Sequence, residues 1–201
     1  PQSARAAEDG WRATLSISEL EHEFDQRYPK FTSKDMLHFM VADTSNPSSI
    51  ASCLRAAREN ARAVRGALTT EVWETQNITW LEMQGQLSDE MLEQDPSQFF
   101  EWVKYRSHLS RGVTFGTMLQ DEALYFIRLG TFLERADNTA RILDVKFHGA
   151  GANPSAAKLG SENHHDYYYW AAILRSVSAF EIYRTVYRDA ITPARVADLL
   201  M

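Results

Sequence analysis

The chain has 201 residues, 44% hydrophobic and 11% aromatic, enough for one large domain or two small ones with a sizeable core. Nine glycines and six prolines are too few for a turn-rich β fold and favour long helices. A formal charge of −6 argues against wholesale binding to nucleic-acid backbone, and one cysteine excludes an internal disulfide framework or a multi-cysteine zinc site.

In chain order, residues 1–12 are small and polar, and a flexible start is expected. Ser16 to Tyr28 reads as a short amphipathic helix ended by Pro29, and Ser33 to Val41 as a second. Asn46-Pro47-Ser48-Ser49 is a turn followed by capping residues. Ile50, Leu54, Ala57, Ala61, Val64 and Leu68 recur at spacings of three and four, which predicts a helix over 50–68. Thr70 is placed as the cap of a helix to about Gln84. Phe99 to Leu109 forms another. Thr117 and Gln120 have capping-box spacing before a helix reaching about Phe147. Residues 149–163, rich in Gly, Ala and Asn, read as a loop. His164 to about Arg188 reads as one long aromatic helix, and Thr192-Pro193 opens the last, Ala194 to Met201. No strand alternation persists. The fold class is all-α: a multi-helix bundle with long antiparallel helices, mainly one domain over 1–201.

The most informative element is the helix around Arg128 to Asp144. Phe126, Leu129, Leu133, Ala136, Ala140 and Leu143 form a stripe with seven-residue periodicity, the seam of an antiparallel bundle. Leu124, Ile127, Ile142 and Val145 make a second apolar patch. Glu134, Asp137, Arg141 and Asp144 share a polar strip, either a solvated face stapled by three- and four-residue pairs or part of a site. Arg128 and Arg135 lie seven apart, flanked by apolar residues on both sides. They are therefore expected at an interhelical boundary, where each needs an acidic partner or a bound anion. Glu181, on the apolar arc of the aromatic helix, is the expected partner of Arg135 or Arg128. Arg184 and Arg188 on that arc would add positive charge near one end of the bundle.

A second basic feature is Arg55, Arg58, Arg62 and Arg65, within about 80° of helix circumference, with Glu59 among them. Residues 66–103 contain no Lys or Arg and eight acids, so an antiparallel neighbour is expected to neutralise this ridge. Phosphate or an acidic partner is the other reading. Histidines lack metal-ligand spacing, and the Glu-x-x-His pairs of a di-metal bundle are missing, so no metal is expected. No cofactor is named by these residues, and no Gly-rich phosphate loop or Gly-x-Ser-x-Gly elbow occurs. No apolar run approaches the roughly 20 residues of a membrane span. No signal peptide is visible in a chain that starts at Pro1, and a reducing, cytoplasmic setting is the default expectation.

Leu129-Gly130 followed by Leu133-Glu134-Arg135-Ala136-Asp137-Asn138-Thr139-Ala140-Arg141 resembles the hallmark of the bacterial alpha-E family, an uncharacterised α-helical domain with a Glu-Arg motif. Asn46-Pro47-Ser48-Ser49-Ile50 with Ala57-Arg58-Glu59-Asn60-Ala61-Arg62, Ser176-Val177-Ser178-Ala179-Phe180, and Ile191-Thr192-Pro193-Ala194-Arg195-Val196 are similar to it too. The family pattern has an earlier Glu-Arg motif and a further helical segment, so the resemblance implies an internal stretch of a longer chain. It also implies company with ATP-grasp-like ligases and transglutaminase-like proteins, in a system that makes, modifies or degrades peptides. Two functions follow as expectations. One is a noncatalytic partner docking onto such a ligase or peptidase. The other is an enzyme or ligand-binding domain in which Glu134, Arg135, Asp137 and Arg141, with Arg58, Glu59 and Arg62, hold an anionic ligand.

Overall fold

The computed structural model describes residues 11, 12, 14–87, 95–144 and 164–201. Among these, every regular element is a helix. The chain divides into two compact units, Pro1–Thr131 and Phe132–Met201. The loop expected over 149–163 and the helix end expected at Phe147 lie outside the described residues.

The first unit opens with a surprise. The helix expected over 16–28 is broken. Glu19 is left-handed (φ 56), Leu20 N–H donates to Leu15 O (3.0 Å), and Glu19 N–H donates to Ser16 O (3.1 Å). That is a Schellman stop, with its usual apolar clasp between Leu15 and Leu20. Both leucines are buried with Phe24, Met36 and Phe39. Helix α1 (Glu21–Arg27) follows, then α2 (Ser33–Val41), whose N-cap Thr32 accepts from Asp35 N–H. The intervening turn to α3 is organised by Asn46, fully buried. Its Nδ2 donates to Phe39 O (2.9 Å) and its Oδ1 accepts from Ser48 N–H (2.9 Å). A buried amide left unbonded would cost about 1–3 kcal/mol, so this side chain fixes the turn.

Helix α3 (Ile50–Ala63) is capped by Ser49 and ends earlier than the periodicity implied, passing into a 3₁₀ turn over Arg65–Ala67. Thr69, not Thr70, caps α4 (Thr70–Gln86). Helix α5 (Pro96–Thr117) is twice the expected length: Asp95 caps it, Pro96 sits at its start, and two interior glycines do not end it. Contacts between α4 and α5 run antiparallel: Thr69 meets Thr117, Gln76 meets Ser110, and Thr79 meets Arg106. Val41, Ala51, Met83 and Phe99 form the core beneath this layer. The expected capping box at Thr117 is displaced. Thr117 closes α5, and Asp121 instead caps α6 (Glu122–Asp144), accepting from Ala123 and Leu124 N–H.

Helix α6 crosses the division, and its 132–144 stretch belongs to the second unit. The expected helix over 164–188 is two helices, α7 (His164–Ser176) and α8 (Phe180–Tyr187). Ser178 is left-handed (φ 59). Ala179 N–H donates to Leu174 O (2.7 Å) and Ser178 N–H to Arg175 O (3.1 Å), a second Schellman stop. Its clasp, Leu174 with Ala179, lies in the core with Trp170, Tyr183 and Val196. Tyr183 Oη donates to Ala190 O (2.9 Å) and accepts from Thr192 N–H (3.2 Å), pinning the turn into α9 (Pro193–Leu200). Across that turn Arg195 pairs with Asp189 (2.7 Å), whose carboxyl this hydrogen bond holds below its ordinary value.

Candidate functional site

Helix α6 is amphipathic as its spacing requires, but its apolar stripe is open. Phe126 is 70% exposed, Leu129 52% and Leu133 61%. Ala136 and Ala140 are exposed as well, and only at Leu143 does the stripe enter a core. Leu124, on the second patch, is buried against Val72 and Met118. This corrects the interior placement expected for the two arginines between those faces: both Arg128 and Arg135 are exposed. Seven-residue periodicity shows that a face is apolar. It does not show that another helix of the same unit covers it.

Arg128, in the first unit, lies over the Phe115 ring (5.6 Å to its centroid), and Arg111 approaches the same ring (5.8 Å). Such exposed cation–π contacts contribute about 0.5–1 kcal/mol. Arg135, in the second unit, makes no ion pair among the described residues. Its expected partner Glu181 is exposed on α8 and does not pair with it. Arg184 and Arg188 are exposed too, so the arc does emerge into solvent. On the polar strip, Arg141 Nε donates to Asp137 Oδ2 (2.7 Å), the four-residue staple the spacing implied, and Glu134 is exposed.

Around Arg135 the second unit is concave. Two adjoining depressions, of ≈ 370 and ≈ 310 Å³, share Arg135, Thr139 and Leu200. One extends past Phe132 and Ala140 to Leu143, the other past Val177 and Ala179 to Ile182. Among the described residues, Arg135 is the one charged side chain lining either. The Thr139 hydroxyl is turned inward to Arg135 O (2.7 Å).

The ridge on α3 is not neutralised by its neighbour in the way the charge pattern implied. Arg58, half-buried, donates from Nε to Asn77 Oδ1 (2.8 Å) on α4 and pairs with Glu59 beside it. Arg62 approaches the other Glu59 oxygen (3.6 Å), and Arg65 lies over Trp73 (5.2 Å). Arg55 is exposed. Among the described residues, none of the four pairs with an acid of 66–103. Those acids turn elsewhere: Glu101 to Lys104 (2.7 Å) and Glu82 to Arg106 (3.4 Å).

Arg106 escaped the reading of the sequence. Its side chain is 11% exposed, and it donates to Thr79 Oγ1 (2.8 Å) and Thr75 O (3.3 Å) besides pairing with Glu82. The signal was the Thr75 and Thr79 pair on one face of α4, too polar for a seam unless a donor met it. A second unforeseen cluster joins Tyr28, His38 and Asp43. Tyr28 Oη lies 2.9 Å from His38 Nδ1 and donates to Asp43 Oδ2 (3.1 Å). Burial and the Asp43 hydrogen bond push Tyr28 up to about 12. Its hydroxyl serves there as a hydrogen-bond donor. Burial opposes ionisation of Asp43, but bonds from Ser45 and Tyr28 and the charge of Arg27 prevail and lower its pKa. Among the described residues no three His, Cys, Asp or Glu side chains converge as a metal site, and no helix is long and apolar enough to cross a membrane.

This chain belongs to the Alpha-E family, whose model, a predicted alpha-helical domain with a conserved ER motif, matches residues 2–201. Glu134-Arg135, on the exposed middle of α6, is the one Glu-Arg dipeptide in the sequence. No curated protein and no solved structure matches the chain.

Proposed function

We propose that this Alpha-E domain is a noncatalytic docking partner in a bacterial, cytoplasmic peptide-ligation or peptide-modification system. Its partner is an ATP-grasp-like ligase or a transglutaminase-like protein. The observation that carries this reading is the open stripe of α6 on the first unit, with Phe126 and Leu129 more than half exposed at seam spacing. Large apolar side chains at regular helical spacing are the surface that a partner's helix or groove covers, and aromatic anchors supply most of such binding energy. Exposed arginines beside the stripe set orientation and association rate more than affinity. Phe126→Glu tests it. With the neighbouring ligase co-expressed, binding should weaken at least about 30-fold, the loss of one aromatic anchor. The melting temperature should hold, because the ring is 70% exposed. Undiminished capture of the ligase by this variant would remove α6 as the docking face.

A second reading is favoured by Arg135, which makes no ion pair among the described residues and lies where the two depressions meet. On this reading the domain holds an anionic ligand there, with Glu134, Asp137 and Arg141 on the same helix. The paired residues Arg58, Glu59 and Arg62 on the first unit serve as a scaffold.

A further inference from the structure

We infer that the concavity around Arg135 receives the C-terminal carboxylate of a peptide whose last two side chains are apolar. This deepens the anion-holding reading and rests on it. Three features select the ligand class. The first is charge: among the described residues Arg135 is the one charged side chain lining the groove, which suits a ligand with a single compact anion. A planar guanidinium matches a planar carboxylate through two parallel hydrogen bonds. A phosphate, with more charge, is ordinarily met by several donors or cations, which this lining does not supply.

The second feature is shape. The depressions, of ≈ 370 and ≈ 310 Å³, meet at Arg135, Thr139 and Leu200. A ligand that fills both must branch where its anion sits. The last residue of a peptide does so: its α-carbon bears the carboxylate, its own side chain and the chain to the preceding residue. A fatty acid is linear and would occupy one depression only. The third is chemistry of the walls. Phe132, Leu143 and Leu200 face one arm, and Val177 and Ile182 the other. Ser178, at the rim of the second arm, has a hydroxyl in no hydrogen bond among the described residues and can meet a peptide amide.

Isothermal titration of the whole chain tests the inference, with four probes: N-acetyl-leucyl-leucine, its C-terminal amide, decanoate and inorganic phosphate. The free acid should bind, and its amide at least 10-fold more weakly. Arg135→Gln should weaken the acid by a similar factor, whereas Arg128→Gln, on the other unit, should leave it unchanged. Ile182→Glu should also weaken the acid, by placing a like charge in one arm. Equal binding of acid and amide, or an Arg135→Gln variant that binds normally, overturns the inference. So does decanoate matching the peptide acid. Phosphate binding alone, lost in Arg135→Gln, overturns the peptide ligand while keeping an anion site. No response to any anion overturns both.

Discussion

Arg106 and Arg135 are each placed by a long helix with threonines nearby, and the molecule treats them in opposite ways. Between α4 and α5, Arg106 is 11% exposed and reaches a hydroxyl, a carbonyl and a carboxylate. In the second unit, Arg135 is exposed, and its neighbour Thr139 bonds to the backbone of its own helix. One guanidinium is spent on holding two helices in register. The other is held out. A desolvated cation must be answered by acceptors and anions of its own fold, and an exposed one is under no such demand. The contrast teaches that the stabilising arginine and the available arginine are different residues, and that function is to be sought at the second.

Substitution at the two sites should separate them most sharply. Arg106→Ala removes every bond it makes and leaves Thr79 buried without its donor. The expected loss is about 2–3 kcal/mol, read from chemical denaturation. Arg135→Ala should change stability by no more than about 0.5 kcal/mol. If the two variants unfold alike, the distinction between a structural and an available arginine is wrong.

Why the sequence pointed to Arg135 as the interior cation is a physical matter. The helical content, the α2 boundaries and the amphipathic stripe of α6 all follow from periodicity and capping, which are local. Burial is not local. Phe126 and Phe99 are equally apolar, yet one is 70% exposed and the other 2%, because only Phe99 meets a core beneath α4 and α5. Charge tallies failed for the same reason: the acid-rich run ends at residue 103, and the cation that answers Glu82 is Arg106, just beyond it. The site itself was half legible. Helical spacing places Arg135, Asp137 and Arg141 on one helix, and α6 carries all three, but the groove beside Arg135 is also lined by Val177, Ile182 and Leu200, which no local pattern brings there. Ile182 lies beyond the break of the aromatic helix at Ser178, and Leu200 on a separate helix.

A smaller effect distinguishes the Tyr28–His38–Asp43 cluster from the open arginines by pH. The Asp43 carboxyl is lowered in the folded chain, so its ionised form stabilises the fold above the ordinary carboxylate range. That contribution is lost as pH falls through and below about 4. Tyr28 is raised to about 12, so its neutral form stabilises the fold below the ordinary tyrosine value of 10.0 and the benefit disappears as pH climbs toward 12. Asp43→Asn should therefore cost about 1 kcal/mol at neutral pH and flatten the acid limb of a melting-temperature profile. Tyr28→Phe should flatten the alkaline limb. Unchanged limbs in both would mean the cluster does not couple to folding.

The smallest expected effect concerns the break that forms the groove. Ser178 adopts φ 59 in a Schellman stop, where a side chain meets its own carbonyl and glycine does not. Ser178→Gly should relieve that clash, against the greater freedom glycine gives the unfolded chain. The net gain should be about 0.5 kcal/mol, measured by denaturation. Ser178→Val should lose stability, since a β-branched residue is poorly tolerated at positive φ. The sign difference between the two separates a break imposed by the Leu174–Ala179 clasp from one that serine itself dictates. If valine were as stable as serine, α7 and α8 would not be held apart by a left-handed residue, and the second arm of the groove would have no fixed wall.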